Sequence, residues 1–230
     1  MIENLSGTLY VVATPIGNLE DISVRAARVL SEVDMILCED TRHSLKLLNH
    51  LGIKKPLKSY HSYNEKRVAS SLLSSLKNGK NLALISDSGT PCISDPGFHL
   101  ISQAVESHIR VEPIPGPSAF LALLSISGFP TASFLFEGFL SPKKNKRLSK
   151  LKDLLNYKGV IILYESPYRV IKLLENLADI CPDNQIILGR ELTKKFEQIY
   201  RGTALELATQ KESIKQKGEF TILINNFSGV

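Results

Sequence analysis

Residues 81–97 read NLALISDSGTPCISDPG, an apolar run that passes without a break into a stretch built almost entirely from Gly, Pro, Ser, Thr and Asp. The run Asn81–Ser86 has the length and apolar content of a buried strand. Asp95-Pro96 at the far end has the form of an N-cap followed by proline at the first helical position. A strand, a long loop and a helix in that order form one βα unit, and the fold class predicted from it is α/β. The loop Ser86–Gly97 is unusually long for such a unit, and long structured loops are more often functional than not. Its glycine and small side chains let a ligand approach main-chain N–H and C=O groups closely, and Asp87 can accept hydrogen bonds from an amine or a ribose. The alternative is a purely structural loop.

The same alternation extends in both directions. Further strands are expected at Thr8–Ala13, Met35–Cys38, Ile109–Ile114, Ser133–Glu137, Gly159–Tyr164, Gln185–Leu188 and Phe220–Ile224. Amphipathic stretches separate them. Asn64 is placed to cap a helix that ends at Gly79, and Ser166-Pro167 repeats the cap-then-proline pattern. Such βα alternation predicts largely parallel sheets, at least in the first half. Glu112–Pro117 holds three prolines and a glycine in six residues, which neither a regular helix nor a central strand accommodates. A boundary is therefore expected there, between an N-terminal α/β lobe over 1–115 and a C-terminal α/β lobe over 116–230.

Charge breaks at the same point. Residues 1–115 carry 12 Lys/Arg and 12 Asp/Glu, whereas 116–230 carry 16 and 11, so the whole excess of +5 lies in the second half. That asymmetry suggests a polyanionic partner for the basic lobe, with a well-solvated basic face as the alternative. The 230 residues are 43% hydrophobic, enough for a proper core. Three scattered cysteines, Cys38, Cys92 and Cys181, give neither a disulfide framework nor a zinc site and suit a reducing, cytoplasmic setting. No basic region precedes an apolar stretch in Met1–Tyr10, and no apolar run approaches the roughly 18 residues of a membrane helix, so no membrane association is expected.

Other motifs sit where ligands bind in open α/β sheets. The first strand ends in Ala13-Thr14-Pro15-Ile16-Gly17-Asn18, which is not a dinucleotide fingerprint because G-x-G-x-x-G is absent. Gly79-Lys80 is the only Gly-Lys pair, and a P-loop would need glycine at position 74, which is Ser74. Pro115-Gly116-Pro117-Ser118-Ala119 opens a helix with small residues, where Ser118 could also be only a cap. Tyr164–Arg169 and Gly189–Lys194 place polar groups at later strand ends, as ligand groups or as caps and ion pairs. Glu39-Asp40-Thr41-Arg42-His43 is the densest ionisable cluster near the first set of strand ends. Lys143, Lys144, Lys146, Arg147 and Lys150 form a basic run at a helix start, where they oppose the macrodipole and so are poorly explained as helix support.

The runs LYVVATPIGNLEDIS, CEDTRHS, SDSGTPCISDPG, IPGPSAF, FEGFLSPKKNKR, YESPYR, RELTKKFE and KGEF, in that order from Leu9 to Phe220, resemble the tetrapyrrole-methylase-fold (class III) methyltransferases. Within that family they are most similar to members that 2′-O-methylate a cytidine of 16S ribosomal RNA. The resemblance implies two α/β lobes, S-adenosylmethionine bound in the cleft between them, and a homodimer. Carried over by motif, the cofactor residues would be Pro15, Asp87, Ser88, Gly89, Thr90, Ile93, Ser118 and Ala119, with Tyr164, Glu165, Gly189 and Glu191 as a second wall. Ser88 and Cys92 stand where the family pattern has Ala and Gly, Tyr168 replaces a His, and Ser62-Tyr63 replace Glu-His. Similar proteins often continue past the KGE strand, whereas this sequence stops at Val230.

The implied chemistry is alignment of a ribose oxygen, a methyl group and a sulfur, helped by a base because a ribose hydroxyl is a weak nucleophile. Asp40 as base or orienter and Arg42 as a phosphate or ribose anchor are the candidates, unless the two simply pair with each other. Contacts to 16S ribosomal RNA or the small ribosomal subunit are assigned to Lys143, Lys144, Lys146, Arg147 and Lys150, with His61, Tyr63, Arg67 and Arg169 as further polar or stacking groups. No metal is required. A tetrapyrrole-type small-molecule methylase and a non-catalytic ribosome-assembly factor are the competing readings.

Overall fold

The computed structural model describes residues 6–227; the reading of Met1–Tyr10 falls partly on Met1–Leu5, outside the described residues. The chain forms two compact units, Met1–Ser118 and Ala119–Val230.

The first unit is a five-stranded sheet of β1 (Thr8–Val12), β2 (Met35–Cys38), β3 (Leu57–Ser59), β4 (Leu82–Leu84) and β5 (Arg110–Ile114). Its order is β3-β2-β4-β1-β5, and every neighbouring pair is parallel. The connecting helices are α1 (Val24–Glu32), α2 (Thr41–His50), α3 (Glu65–Lys77) and α4 (Phe98–Glu106). Crossovers between parallel strands are almost always right-handed, so the direction of each step across the sheet fixes the face its helix covers. β1→β2 and β2→β3 step one way; β3→β4 and β4→β5 step back. Side-chain packing follows that division. Ala26, Val29 and Leu30 of α1 and Leu48 of α2 cluster with Val12, Ile36, Cys38, Ala83 and Ile85. Leu72 and Leu76 of α3 and Leu100 and Ala104 of α4 cluster with Leu9, Leu37, Leu82 and Leu84. Ile36, Leu37 and Cys38, like Leu82, Ala83, Leu84 and Ile85, alternate between the two clusters, as the period-2 geometry of a strand buried on both faces demands.

The second unit is mixed. β6 (Phe134–Phe139), β7 (Val160–Glu165), β8 (Gln185–Arg190), β9 (Gln198–Thr203) and β10 (Phe220–Asn225) run in the order β6-β7-β10-β8-β9, and only β6 and β7 are parallel. Helices α6 (Lys144–Leu154), α7 (Val170–Ile180) and α8 (Ala204–Thr209) bury Leu151, Leu173, Leu177 and Leu207 against Ile161, Leu163, Ile186 and Ile222. A side chain at Gly189 in β8 would meet Leu123 of α5 (Ala119–Ser125) at 2.9 Å, so that residue's smallness permits the helix to lie where it does.

Three cap expectations are corrected. Gly97, not Asp95, is the N-cap of α4, and the helix starts at Phe98. Gly97 has φ +150°, a conformation that a helical chain through Pro96 could not contain, and a Cβ there would strike the Cys92 sulfur. Asn64 holds the N-cap position of α3 but makes no capping bond. Its side chain pins the preceding loop instead, accepting from His61 N–H (3.0 Å) and donating to Ser59 O (3.0 Å). Ser166-Pro167 lies in a turn whose Ser166 carbonyl accepts the N–H groups of both Arg169 and Val170, and regular helix begins at Val170. At the C-terminus of α3, Gly79 does take the left-handed φ of +83°. Two strands were not foreseen: β3 is three residues long, and β9 is polar; both are sheet edges.

Candidate functional site

All five strands of the first sheet end at one edge, and β4 lies between β2 and β1. Because α4 leaves β4 towards one face while α2 and α1 leave its neighbours towards the other, loops diverge on both sides of β4 and open the crevice where α/β sheets bind ligands. The long Ser86–Gly97 loop rises at that point. It is tied to β1 by a two-bond bridge, Thr14 N–H to Gly89 O (2.9 Å) and Gly89 N–H to Thr14 O (3.2 Å). Ser86 Oγ donates to Gly89 O (3.1 Å), and Thr14 Oγ1 donates to Ser86 O (3.2 Å). Thr90 Oγ1 donates to Pro117 O (3.0 Å), which brings in the loop after β5. On the other side, Asp87 Oδ1 accepts the Asp40 N–H (3.2 Å) at the end of β2. Pro15, Asp87, Ser88, Gly89, Thr90 and Ser118 are thus drawn into one constellation, and Ile93 closes the turn by donating its N–H to Thr90 O.

Gly89 packs tightly within that constellation, and Ser118 is the group in it that is left for a ligand. Gly89 has φ +85°, and a Cβ there would sit 3.2 Å from Ile16 Cγ2 and 3.6 Å from Pro117 O. Ser118 Oγ is buried with no hydrogen-bond partner, so it is not serving as a cap; an unsatisfied buried hydroxyl costs stability unless something fills the role. Cys92 and Ser94 also adopt positive φ, 68° and 71°. The Cys92 side chain is turned towards Gly97 and packs with the α3/α4 cluster, which pushes its thiol up to about 11 by burial. It therefore takes no space from the Gly89 side of the loop.

Asp40 and Arg42 do pair with each other. Two side-chain bonds join them, at 2.7 and 3.1 Å, and Asp40 Oδ1 also caps α2 through the Arg42 N–H (2.8 Å). Those hydrogen bonds hold the Asp40 carboxyl well below the usual carboxylate range, which leaves a weak base. Glu39, which the sequence alone does not set apart from Asp40, is half-buried and has the opposite environment. Burial, then the Asp87 charge, raises its pKa, against the lowering effects of the Asp87 backbone N–H and of His61. His61 Nδ1 is itself buried without a partner. The raised value has a measurable sign: the folded chain holds a proton that the unfolded chain releases. That stabilisation is complete below the ordinary glutamate range and is lost as pH rises through the elevated one. Urea titrations against pH are expected to show this component in the wild type and not in Glu39→Gln; equal pH profiles for the two would refute it.

In the second unit, Glu165 is fully buried at the end of β7. Its Oε1 accepts the Ser166 N–H (2.7 Å) and pairs with Arg169 Nη2 (2.6 Å), while Oε2 has no partner. Tyr164 packs edge-on against Phe136 with ring centroids 5.1 Å apart. Glu191 has φ +51°, and its carboxylate is taken by Lys194 Nζ (2.9 Å) and the Glu219 N–H (3.0 Å). Of the basic run, Lys143, Lys144 and Lys146 are exposed, and Lys150 is exposed but pairs with Glu137 at 3.0 Å. Arg147 differs from its neighbours in the run: it is only 5% exposed and bonds to Asn176 and the Pro142 carbonyl. Among the described residues no group of three or more His, Cys, Asp or Glu could hold a metal, and no helix is long and apolar enough to cross a membrane.

The family model for Tetrapyrrole (Corrin/Porphyrin) Methylases matches residues 8–208. A protein of Xylella fastidiosa named Ribosomal RNA small subunit methyltransferase I is 47% identical over 221 residues, 95% of this chain and 81% of its own. One of the same name from Thermotoga maritima is 43% identical over 219 residues, 95% of this chain and 98% of its own. Among solved structures, diphthine synthase matches with a TM-score of 0.74 at 14% identity, covering 95% of this chain and 90% of that one. Uroporphyrin-III C-methyltransferase from Thermus thermophilus, complexed with S-adenosylhomocysteine, matches at 0.65 with 18% identity, covering 94% and 97%.

Proposed function

The chain belongs to the tetrapyrrole methylase family, and from that premise we propose that it is an S-adenosylmethionine-dependent methyltransferase that 2′-O-methylates a cytidine of 16S ribosomal RNA. The observation that carries this reading is the run of relatives at 42–47% identity over 95% or more of the chain, all named as small-subunit ribosomal RNA methyltransferases. It acts in the cytoplasm as a homodimer, on ribosomal RNA or the assembled small subunit; light scattering checks the dimer.

The residues present fit the cofactor. Gly89 holds the loop closed against Thr14, Ile16 and Pro117, Ser118 offers an unused hydroxyl, and Asp87 holds one carboxylate oxygen at the Asp40 N–H and keeps the other for an amine or ribose. Pro15, Ser88, Thr90, Ile93 and Ala119 complete that set, with Tyr164, Glu165, Gly189 and Glu191 assigned by family resemblance. Bound S-adenosylmethionine supplies an electrophilic methyl group on a sulfonium. The protein's part is to orient the ribose oxygen and exclude water, since no charge need be stabilised on the leaving sulfur. Glu39 is the better proton acceptor of the two neighbouring carboxylates, because its basicity is raised and that of Asp40 is spent on Arg42. Arg42, held by Asp40, anchors a phosphate or ribose. Glu39→Gln is expected to lower kcat roughly hundredfold with cofactor affinity unchanged, the effect of removing a general base; a fall of the same size in Asp40→Asn instead would reverse the assignment.

The deciding experiment is transfer of labelled methyl from S-adenosylmethionine to small subunits lacking the modification, with nuclease digestion and mass spectrometry to locate it. A 2′-O-methylcytidine at one site, absent with Asp87→Ala, supports the reading. Measurable cofactor binding without transfer to subunits or free ribosomal RNA would sink it in favour of a small-molecule substrate, and no cofactor binding would leave an assembly factor.

A further inference from the structure

At the amino-terminal ends of α6 and α7 the second unit holds a cavity of about 480 Å³. Four cations line it, Lys144 and Arg147 from α6 and Arg169 and Lys172 from the start of α7, with Glu175 and Asn176 further along α7. The spacing explains the convergence: Lys144 and Arg147 are three apart, as are Arg169, Lys172 and Glu175, so each set shares one helical face. The single carboxylate is already committed, because Glu175 pairs with Lys211 at 2.7 Å outside the lining set. Arg169 likewise belongs to Glu165. Lys144, Lys172 and Arg147 pair with no carboxylate among the described residues.

Arg147 is the unusual member. It is 5% exposed, yet its hydrogen-bond partners are both neutral: Nε donates to Asn176 Oδ1 (3.1 Å) and Nη1 to Pro142 O (3.2 Å). A buried cation without a counter-ion is costly, and the cost is recovered when an anion enters beside it. Its planar fork, fixed by two neutral acceptors, keeps Nη2 for such a ligand, and guanidinium matches phosphate geometry. Two helix N-termini add their positive ends to the same cavity. Basic side chains at both helix starts are unfavourable for the helices themselves, which a bound anion would reverse.

We propose that this cavity is a phosphate-binding pocket that grips the backbone of the substrate RNA. The proposal rests on the ribosomal RNA reading above and names where that RNA is held. Its volume exceeds one phosphate and admits a phosphodiester with an adjoining ribose. The exposed lysines, Lys144 and Lys172, capture the strand electrostatically, and buried Arg147 fixes one phosphate in place.

The test measures binding of a short fluorescent single-stranded RNA by anisotropy across a salt series, in the full chain and in Lys144→Glu/Lys172→Glu. Both positions are exposed first-turn sites where an acid favours the helix, so the double variant folds. Affinity is expected to fall more than tenfold at physiological salt, and the slope of log K against log salt to shrink by about 1–2, the signature of losing one or two phosphate contacts. Cofactor affinity, measured by calorimetry, stays at the wild-type value. Arg147→Met, if folded, loses RNA affinity as well. Inorganic pyrophosphate at matched ionic strength separates the two phosphate sources. Weak displacement of RNA from the wild type supports a backbone site. Pyrophosphate binding tighter than RNA binding, abolished in the double variant while RNA affinity is untouched, overturns it in favour of a free phosphate ligand. Unchanged RNA affinity and salt slope in a variant whose parent methylates ribosomal RNA overturns the pocket alone. A wild type that neither binds nor methylates RNA overturns the functional reading, and the pocket with it.

Discussion

Gly89→Val is expected to cut cofactor affinity, and methyl transfer with it, by about a hundredfold while the chain stays folded. A β-branched residue at φ +85° costs about 1–2 kcal/mol in backbone strain. The added carbons meet Ile16 and the Pro117 carbonyl, and overpacking of that kind costs about 1–3 kcal/mol. The loop can escape both costs only by breaking its bridge to Thr14, which carries Asp87 and Thr90 away from their partners. Either way about 3 kcal/mol is lost from the binding-competent loop, and each 1.4 kcal/mol is tenfold. Calorimetric titration with S-adenosylhomocysteine reads the loss, and circular dichroism checks the fold. Wild-type affinity in the valine variant would show that the ligand does not depend on this loop.

The second large effect concerns stability. Arg169→Ala is expected to destabilise the second unit by about 3 kcal/mol, the lower end for removing one partner of a buried ion pair, because the Arg169 side chain is a quarter exposed and the Glu165 side chain fully buried. The carboxylate left behind keeps one bond, from the Ser166 N–H, and its Oε2 is already unpartnered. Glu165→Gln in the same background removes the stranded charge, so the double variant should regain much of the loss. Urea midpoints of the two variants decide the matter: equal midpoints would mean that the stranded charge is not the cause.

Much of this architecture could be read from residue order. Apolar runs with the right length located eight strands within a residue or two, because strands buried on both faces leave a continuous signal, as in Ile36–Cys38 and Leu82–Ile85. The edges β3 and β9 escaped notice for the complementary reason, since an edge strand buries too little to be apolar throughout. The loops that form the first unit's constellation were legible from composition alone. What composition could not supply was direction. Nothing in CEDTRHS distinguishes Glu39 from Asp40, yet the fold half-buries Glu39 beside Asp87 and hands Asp40 to Arg42. Nor does KKNKR reveal that its arginine turns inward to Asn176, a residue 29 positions away. Neighbouring charges in sequence separate only when burial assigns them different surroundings.

The order β3-β2-β4-β1-β5 also constrains how the chain is made. β1 and β2 never touch; the strand that joins them, β4, is synthesised only after α3, and β1 finds its other neighbour when Thr8 meets Arg110. Pairings so distant in sequence close large loops and fold slowly. A nascent chain that has emerged only through Lys77 therefore exposes β1 on one side and the β2–β3 pair on the other, with unpaired edges of the kind that recruits chaperones. Competence to hold a ligand arises late and all at once, when the central strand slides into its slot and brings the Ser86–Gly97 loop with it.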